Sequence, residues 1–411
     1  MIEIKKNNEP TIYINHDVVS KIVWEKSLSD INNVNKILRE IKKQKQSKNL
    51  IYSLFFNTCR YSKNPKVFKK ISSQIKNFDF NVKDAYYSTP LEIALKELNK
   101  TAILFLLEND ADIDVPISNI NKLQTKNLII DFIEKQYLLF NQDTTIKNKN
   151  KIINELIEVL KIFVKNYYNL NIYEEYRDTT LLVEAVKFKN KKLVKYIIEK
   201  GGADIFLGRT KNITPILSCS RFGNYETFIY LIKLEKIVDL TLSKDADKRN
   251  ILHYILLNTN VKEAYKMIQF LIKNKKDIFK EKIKEKDKRG VPPIFEILSW
   301  SDFTDEHKKL LYTLLKNNPE LISNDFLTQL KLSIDDSYNE LYEIKEKINK
   351  LKDDNSNKKL ELMELEEYVN KRINTLLDIK YSLKEFCNAV ISVGLTGNTM
   401  VGIPFCLKNK V

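Results

Sequence analysis

The side chains that most often perform catalysis or hold metal ions are few and widely spaced in this sequence of 411 residues. None of the three histidines lies three or four residues from another histidine, a cysteine or a paired carboxylate in the spacing of metal ligands. The patterns of serine hydrolases, zinc peptidases, kinases and phosphate-binding loops are also absent. The sequence therefore predicts no catalytic residue, no metal site and no cofactor, and we expect a protein that is not an enzyme.

The histidines and cysteines that could attract a chemical interpretation have structural ones. His253 lies in a sequence motif at the predicted start of a helix and is expected to make a structural hydrogen bond. His307 follows Asp305-Glu306 and is expected on an exposed, solvated helix start. Cys59 and Cys219 lie among apolar residues and are predicted to be small core side chains.

Cysteine usage and the N-terminal residues bear on the cellular compartment. The four cysteines are scattered, without a CxxC pair, which is typical of a reducing compartment. The first six residues, MIEIKK, do not begin the apolar core of a signal peptide. We expect a cytoplasmic protein, with the nucleus as the alternative.

The formal charge of +15 raises the question of nucleic-acid binding. Arginine stands at only eight positions, and lysine supplies the other 61 of the 69 basic residues. Lysine, asparagine, isoleucine and tyrosine are all abundant and are encoded by A/T-rich codons, so genome composition explains much of the excess. Base readers and phosphate clamps depend on the arginine fork, and nucleic acid is therefore not the expected partner.

Residues 387–407 carry no charge and approach the length of a membrane span. Three glycines, Pro404 and several polar residues interrupt this stretch, which disfavours a helix exposed to lipid. We expect a packed C-terminal segment rather than a membrane anchor.

A sequence motif that recurs with variation indicates the helices that make up most of the chain. It reads STPLEIA from Ser88, TTLLVEA from Thr179 and ITPILSC from Ile213, and each copy precedes a second apolar helical stretch. Thr89 and Thr214 can cap a helix whose first turn accepts the proline that follows. Thr180 and Thr214 are 34 residues apart, which is near the period of a helix-pair repeat.

The segment 88–113, STPLEIALKELNKTAILFLLENDADI, resembles an ankyrin repeat almost position for position. The phrases Arg249–His253 and Arg289–Phe295 resemble further copies. The clear resemblance covers roughly 84–318, with weaker copies at 31–78 and 122–170. It implies an all-α solenoid of helix-turn-helix units.

After Pro319 the apolar spacing changes to that of two longer helices. Leu341, Ile344, Ile348 and Leu351 are spaced 3, 4 and 3, and a second such series runs from Leu362 to Leu376. The polar run 353–357 between them predicts a turn, and hence an antiparallel helical hairpin. It could cover the apolar end of the array or serve as an interaction module.

The predicted organisation has five parts. They are an N-terminal segment 1–30, degenerate ankyrin-like helices 31–83, the repeat array 84–320 with the degenerate unit 122–170, the hairpin 321–386, and an apolar tail 387–411. In the degenerate unit we expect a linker, 141–150, between the two helices.

In the ankyrin family the partner generally lies against the hairpin tips and the concave first-helix face. Carried onto this chain, the resemblance implies a protein-interaction scaffold, and the candidate contacts are Tyr86, Tyr176, Arg177, Lys211 and Arg289. The expected partner is another protein with an acidic or polar surface, and no small-molecule substrate is expected. An alternative is an adaptor or effector that uses the C-terminal helices for a second partner. A basic nucleic-acid-associated protein is the less favoured one.

Overall fold

The computed structural model describes residues 27–44, 47–116, 125–208, 211–234, 240–300, 302–318, 324–354 and 359–394. The contacts divide the chain into two compact units. Unit 1 comprises Met1–Ala185 and Lys192–Asp204, and unit 2 comprises Val186–Lys191 and Ile205–Val411.

Most described residues before 200 lie in short paired helices. The helices are α1 (Ile31–Lys42), α2 (Ser47–Tyr61), α3 (Pro65–Ser72), α4 (Pro90–Lys96), α5 (Lys100–Leu107), α6 (Leu128–Gln142), α7 (Ile146–Lys165), α8 (Leu181–Ala185) and α9 (Lys191–Glu199). A 3-10 turn, Val186–Phe188, follows α8. Two antiparallel strand pairs precede α6 and α8: β1 (Asp114–Pro116) with β2 (Thr125–Asn127), and β3 (Tyr173–Glu174) with β4 (Thr179–Thr180).

The remaining helices belong to unit 2. They are α10 (Pro215–Phe222), α11 (Tyr225–Leu234), α12 (Ile251–Leu256), α13 (Val261–Asn274), α14 (Lys276–Lys282), α15 (Asp305–Asn317), α16 (Asn324–Asp354) and α17 (Lys359–Gly394). Two 3-10 segments, Leu240–Leu242 and Pro293–Ser299, complete the unit, and the second takes the place of a first repeat helix.

Asparagines at the turn between paired helices hold neighbouring repeats together. Asn99 caps α5, and its side-chain amide also donates to the carbonyl oxygens of Cys59 and Ser62, at 3.0 and 2.8 Å. Asn258 makes a similar link: its amide donates to the carbonyl of Ser220 at 2.8 Å, and its side-chain oxygen accepts from the N–H of Asn260, the residue that caps α13. One asparagine side chain thus bonds a backbone N–H at the start of one helix and a backbone carbonyl at the end of a helix in the preceding repeat. These hydrogen bonds add specificity to the apolar packing between repeats.

The same type of turn precedes the first helix of five repeats, and we call this turn the tip of the repeat. The residue two before the helix cap has a positive φ in all five copies: Tyr87 (61°), Asp178 (49°), Asn212 (55°), Lys248 (60°) and Gly290 (80°). In three copies an aspartate five before the cap accepts two backbone N–H groups, at 2.8 to 3.0 Å: Asp84, Asp245 and Asp287. These carboxylates fix the turn from inside, so the residue three before the cap stands at its apex.

The prediction of a linker at residues 141–150 is wrong. Helix α6 continues to Gln142 and α7 begins at Ile146, so three residues connect them. Thr145 caps α7 by accepting from Asn148 N–H at 3.3 Å, and Asp143 accepts from Thr145 N–H at 2.8 Å. The first turns of α7 are polar because they are exposed, and this made a helix resemble a loop in the sequence.

The two C-terminal helices, α16 and α17, form a hairpin that packs on the last repeat. Ile348, Val369 and Ile373 form its core. Arg372 on α17 donates to the carbonyl of Leu298 at 2.6 Å. Two further bonds join α15 to α17: Lys308 Nζ donates to Glu385 Oε2 at 2.7 Å, and Tyr312 Oη donates to the carbonyl of Ser382 at 3.3 Å. The hairpin therefore covers the end of the array.

The predicted boundary between hairpin and tail, at 386/387, does not coincide with a helix end, because α17 continues to Gly394. The rest of the predicted tail and most of the predicted N-terminal segment 1–30 lie outside the described residues. None of the helices in the described ranges combines the length and the hydropathy that a transmembrane span requires.

Candidate functional site

The tips of unit 1 expose tyrosines. Tyr86 stands at the apex of its tip and is 86% exposed, and its neighbour Tyr87 is 56% exposed. Tyr176, next to the apex of its own tip, is 54% exposed. Because Asp84 accepts from the backbone N–H groups of Tyr86 and Ser88, the first of these aromatic side chains stands on a fixed turn. The structure thus places two of the candidate contacts, Tyr86 and Tyr176, at the surface.

Arg177 occupies the apex of its tip but points inward. Its guanidinium donates to Asp131 Oδ1 at 2.6 Å and to Glu174 Oε2 at 2.9 Å, and its Nε lies 2.9 Å from Glu134 Oε2. Only 23% of the side chain is exposed. The carboxylates of Asp131 and Glu174 are nearly inaccessible, so the arginine is required to compensate buried charge. No local sequence pattern indicated this role.

Two lysines extend this cluster, which we call the unit 1 ion cluster (Glu92, Lys126, Asp131, Glu134, Lys135, Glu174 and Arg177). Lys126 Nζ lies 2.7 Å from Glu92, and Lys135 Nζ lies 2.6 Å from Asp131. Burial would raise the pKa of Asp131, but the hydrogen bond from Lys135, the charges of both lysines and the bond from Arg177 hold it below its usual value. The cluster joins the β3–β4 tip to α6, which is a structural function.

The three tips of unit 2 are hydrogen-bonded to one another. Ala246 N–H donates to the carbonyl of Lys211 at 2.6 Å, and Lys288 N–H donates to the carbonyl of Asp247 at 2.8 Å. Lys211 and Arg289, the remaining candidate contacts, stand at apices of this row, and both are exposed. The structure thus brings these two sequence-predicted residues onto one edge.

Behind that edge lies a polar cluster that is not internally satisfied. Asp287 accepts from Arg289 Nε at 2.8 Å, and Arg249 Nε lies 3.9 Å from the same Oδ2 atom. Among the described residues, Arg249 Nε and Glu296 Oε1 are buried atoms with no hydrogen-bond partner. Burial raises the pKa of Glu296, against the opposing charges of Arg249 and Arg289. The sequence did not reveal this grouping, because its members come from separate repeats.

The two described histidines stabilise helix starts. His253 is fully buried; its Nδ1 accepts from Asn250 N–H at 3.1 Å, which leaves Nε2 to donate to the carbonyl of Val291 at 3.2 Å. Burial lowers its pKa, and the predicted structural role is confirmed. The expectation of an exposed His307 is wrong: its side chain is 12% exposed and its ring lies 4.6 Å from that of Trp300. It caps α15 together with Thr304.

The described residues offer no arrangement for metal or thiol chemistry. No group of three or more His, Cys, Asp or Glu side chains within them could hold a metal ion. Cys59 and Cys219 are fully buried, and burial raises the pKa of both thiols far above the ordinary value. Both are core side chains, as predicted, and both are inert as nucleophiles. His16 and Cys406 lie outside the described residues, as does the side chain of Cys387.

Comparison with family models matches residues 182–287 to three copies of the ankyrin repeat. The match confirms the predicted ankyrin repeats over these residues, and the predominantly helical structure of the described residues agrees with the predicted all-α repeat fold. No curated protein matches this chain. Among solved structures, one similar chain comes from the complex of Bd0816, a predatory endopeptidase from Bdellovibrio bacteriovorus, with immunity protein Bd3460. The two are 18% identical, the match covers 51% of this chain and 93% of that one, and the TM-score is 0.35.

Proposed function

We propose that this ankyrin-repeat protein is a non-enzymatic scaffold that binds another protein through its hairpin tips and first helices. Ankyrin repeats in general mediate protein–protein interaction. The observation that carries the finer proposal is the exposure of Tyr86 and Tyr176 at the tips of unit 1.

Tyrosine is suited to this position for energetic reasons. It offers a large contact area and one hydrogen-bonding group, and it loses little side-chain entropy on binding. The turn beneath Tyr86 is already held by Asp84, so binding need not order the backbone. Fixed, exposed aromatic side chains are typical anchors of protein interfaces.

The test is affinity capture from a lysate of the source cells with the double variant Tyr86→Ala/Tyr176→Ala. Arg177 is left intact because its loss would unbalance the unit 1 ion cluster. We expect a protein that wild type captures to be lost, with an unchanged melting temperature. Tyr167→Ala is the matched control, since Tyr167 is 98% exposed, follows α7 and is not part of a tip turn. Equal capture by wild type and the double variant would reject the tyrosine tips as the site.

A second candidate function is an adaptor or effector whose C-terminal hairpin binds a second partner. Leu365 and Tyr368 on α17 are 46% and 57% exposed, next to the hairpin core residue Val369. Replacing them as Leu365→Gln/Tyr368→Gln should keep the hairpin folded, because its core is untouched. Loss of one captured protein while another is retained would support the adaptor. An unchanged set of captured proteins would leave the hairpin only its role of covering the last repeat.

A further inference from the structure

The three tips of unit 2 form one continuous edge with an unusual distribution of charge. Two backbone hydrogen bonds join the tips, as described above, so their apices are fixed next to one another. The exposed residues along this edge include four cations: Lys211, Lys248, Lys288 and Arg289. We call these four the basic edge.

The acidic residues of the same tips are turned inward. Asp245 and Asp287 are 8% and 5% exposed, and each accepts two backbone N–H groups. Tyr254 Oη donates to the second oxygen of Asp245 at 2.8 Å. Two further carboxylates of these tips stay partly accessible: the half-exposed Asp247, and Glu285, whose side chain is 23% exposed and pairs with Lys244. The turns therefore bury the carboxylates of Asp245 and Asp287 against backbone N–H groups, whereas the lysine and arginine side chains stay exposed to solvent.

Arginines stand directly behind this edge. Arg249 and Arg289 approach the same oxygen of Asp287, and the charges of Arg221, Arg249 and Arg289 all act on Glu296. Arg249 keeps a buried Nε donor without a hydrogen-bond partner. The Nε atom itself is buried, but 27% of the Arg249 side chain is exposed, so its guanidinium is suited to donate to a carboxylate oxygen of a bound partner.

We infer that the basic edge of unit 2 binds an acidic, Asp/Glu-rich segment of the partner protein, and this rests on the proposed scaffold function. Carboxylates of such a segment would pair with the exposed cations, and one of them would accept from Arg249. The complementary charge would also speed association.

The edge is less suited to nucleic acid. The tip segments 211–214, 240–250 and 285–292 contain no tyrosine, phenylalanine or tryptophan, so bases would find no aromatic surface on which to stack. The tips of unit 1, in contrast, carry four tyrosines: Tyr86, Tyr87, Tyr173 and Tyr176. An acidic peptide needs cations alone, and the edge provides them.

The experiment measures fluorescence anisotropy of a fluorescein-labelled ten-residue polyglutamate peptide with the full chain at about 50 and about 150 mM salt. The edge variant is Lys211→Gln/Lys248→Gln/Lys288→Gln/Arg289→Gln. Four surface pairs worth a few tenths of a kcal/mol each predict an affinity about tenfold weaker.

The matched control removes four exposed lysines from the second helices and α14 of the same unit. It is Lys233→Gln/Lys273→Gln/Lys276→Gln/Lys280→Gln, which leaves the same net charge as the edge variant. Its affinity should stay within about twofold of wild type. Equal weakening by both variants would show attraction to net charge alone and would overturn the inference, as would absence of wild-type binding.

Two further measurements sharpen the result. Arg249→Lys keeps the charge but removes the Nε donor, and we expect about threefold weaker peptide binding; unchanged affinity would exclude Arg249 from the site. A ten-nucleotide single-stranded DNA probe is measured in the same way. If it binds more tightly than the peptide and its binding depends on the same four cations, the partner of the basic edge is nucleic acid rather than an acidic protein segment. Failure of the peptide with intact tyrosine-dependent capture would reject this inference and leave the scaffold function standing.

Discussion

Arg177 in unit 1 and Arg289 in unit 2 occupy the same position of their repeats, three residues before the helix cap, and the surroundings give them opposite roles. Arg177 is 23% exposed and contacts three carboxylates. Arg289 is 58% exposed and bonds the aspartate of its own turn. The position in the repeat therefore sets where the side chain leaves the backbone, whereas the neighbouring elements determine whether that side chain is exposed to solvent.

The largest expected effect separates these two arginines directly. Arg177→Gln leaves the buried carboxylates of Asp131 and Glu174 without their cation, and we expect a loss of about 2–4 kcal/mol in the free energy of unfolding. Arg289→Gln should cost under about 1 kcal/mol, since Arg289 is itself 58% exposed and the buried Asp287 keeps its two backbone N–H donors and the neighbouring Arg249. Urea unfolding followed by circular dichroism measures both. Similar losses for the two variants would contradict the contrast between the tips.

The next effect concerns pH and the unit 1 ion cluster. The pKa of Asp131 is lowered in the folded state, so its contribution to stability is present above the unfolded value of about 3.8 and is lost as pH falls through the folded one. Asp131→Asn should therefore destabilise the protein by about 1–3 kcal/mol at pH 7. The difference from wild type should shrink as the pH approaches 3. A difference that is independent of pH would show that packing, rather than charge, explains the loss.

The left-handed position of the tips gives a smaller pair of effects. Gly290 has φ +80° with open space around its Cα, so Gly290→Ala meets no clash and should cost about 1 kcal/mol through backbone strain alone. Tyr87 has φ 61° in unit 1, and Tyr87→Gly should relieve a similar strain. Thermal melting should move in opposite directions for the two variants. Melting temperatures that fall together would show that the Tyr87 ring contributes packing that outweighs its strain.

The smallest effect has the opposite pH dependence from that of Asp131. Burial raises the pKa of Glu296 above 4.5, so folding favours the protonated carboxyl and stability declines as pH rises through the folded pKa. Glu296→Gln keeps the shape without the charge, and it should raise stability at pH 7.5 by less than about 1 kcal/mol, with no difference near pH 4. Melting curves at both pH values test this. A variant less stable than wild type at pH 7.5 would mean that the arginines compensate the ionised form fully.

Local sequence signals predicted the elements well and the long-range contacts poorly. Thr89 followed by Pro90 predicted a helix start, and the threonine caps α4 there. His307 was placed at the surface because its neighbours in sequence are acidic, yet its ring packs on Trp300. Arg177 and Asp131 are 46 residues apart, so no local pattern connects them. The periodicity of apolar residues indicates which face of a helix is buried, but it does not predict which charged side chains from different repeats come into contact.

The amino-acid sequence was sufficient to predict the repeated helix pairs, their caps and the paired C-terminal helices, because apolar period and capping chemistry act within a few residues of the chain. Three features arise only in the folded protein: Arg177 closes a buried ion cluster, Arg289 stays exposed, and the unit 2 tips form one basic edge. Those outcomes depend on desolvation and on hydrogen bonds between repeats, which exist only after the repeats have stacked.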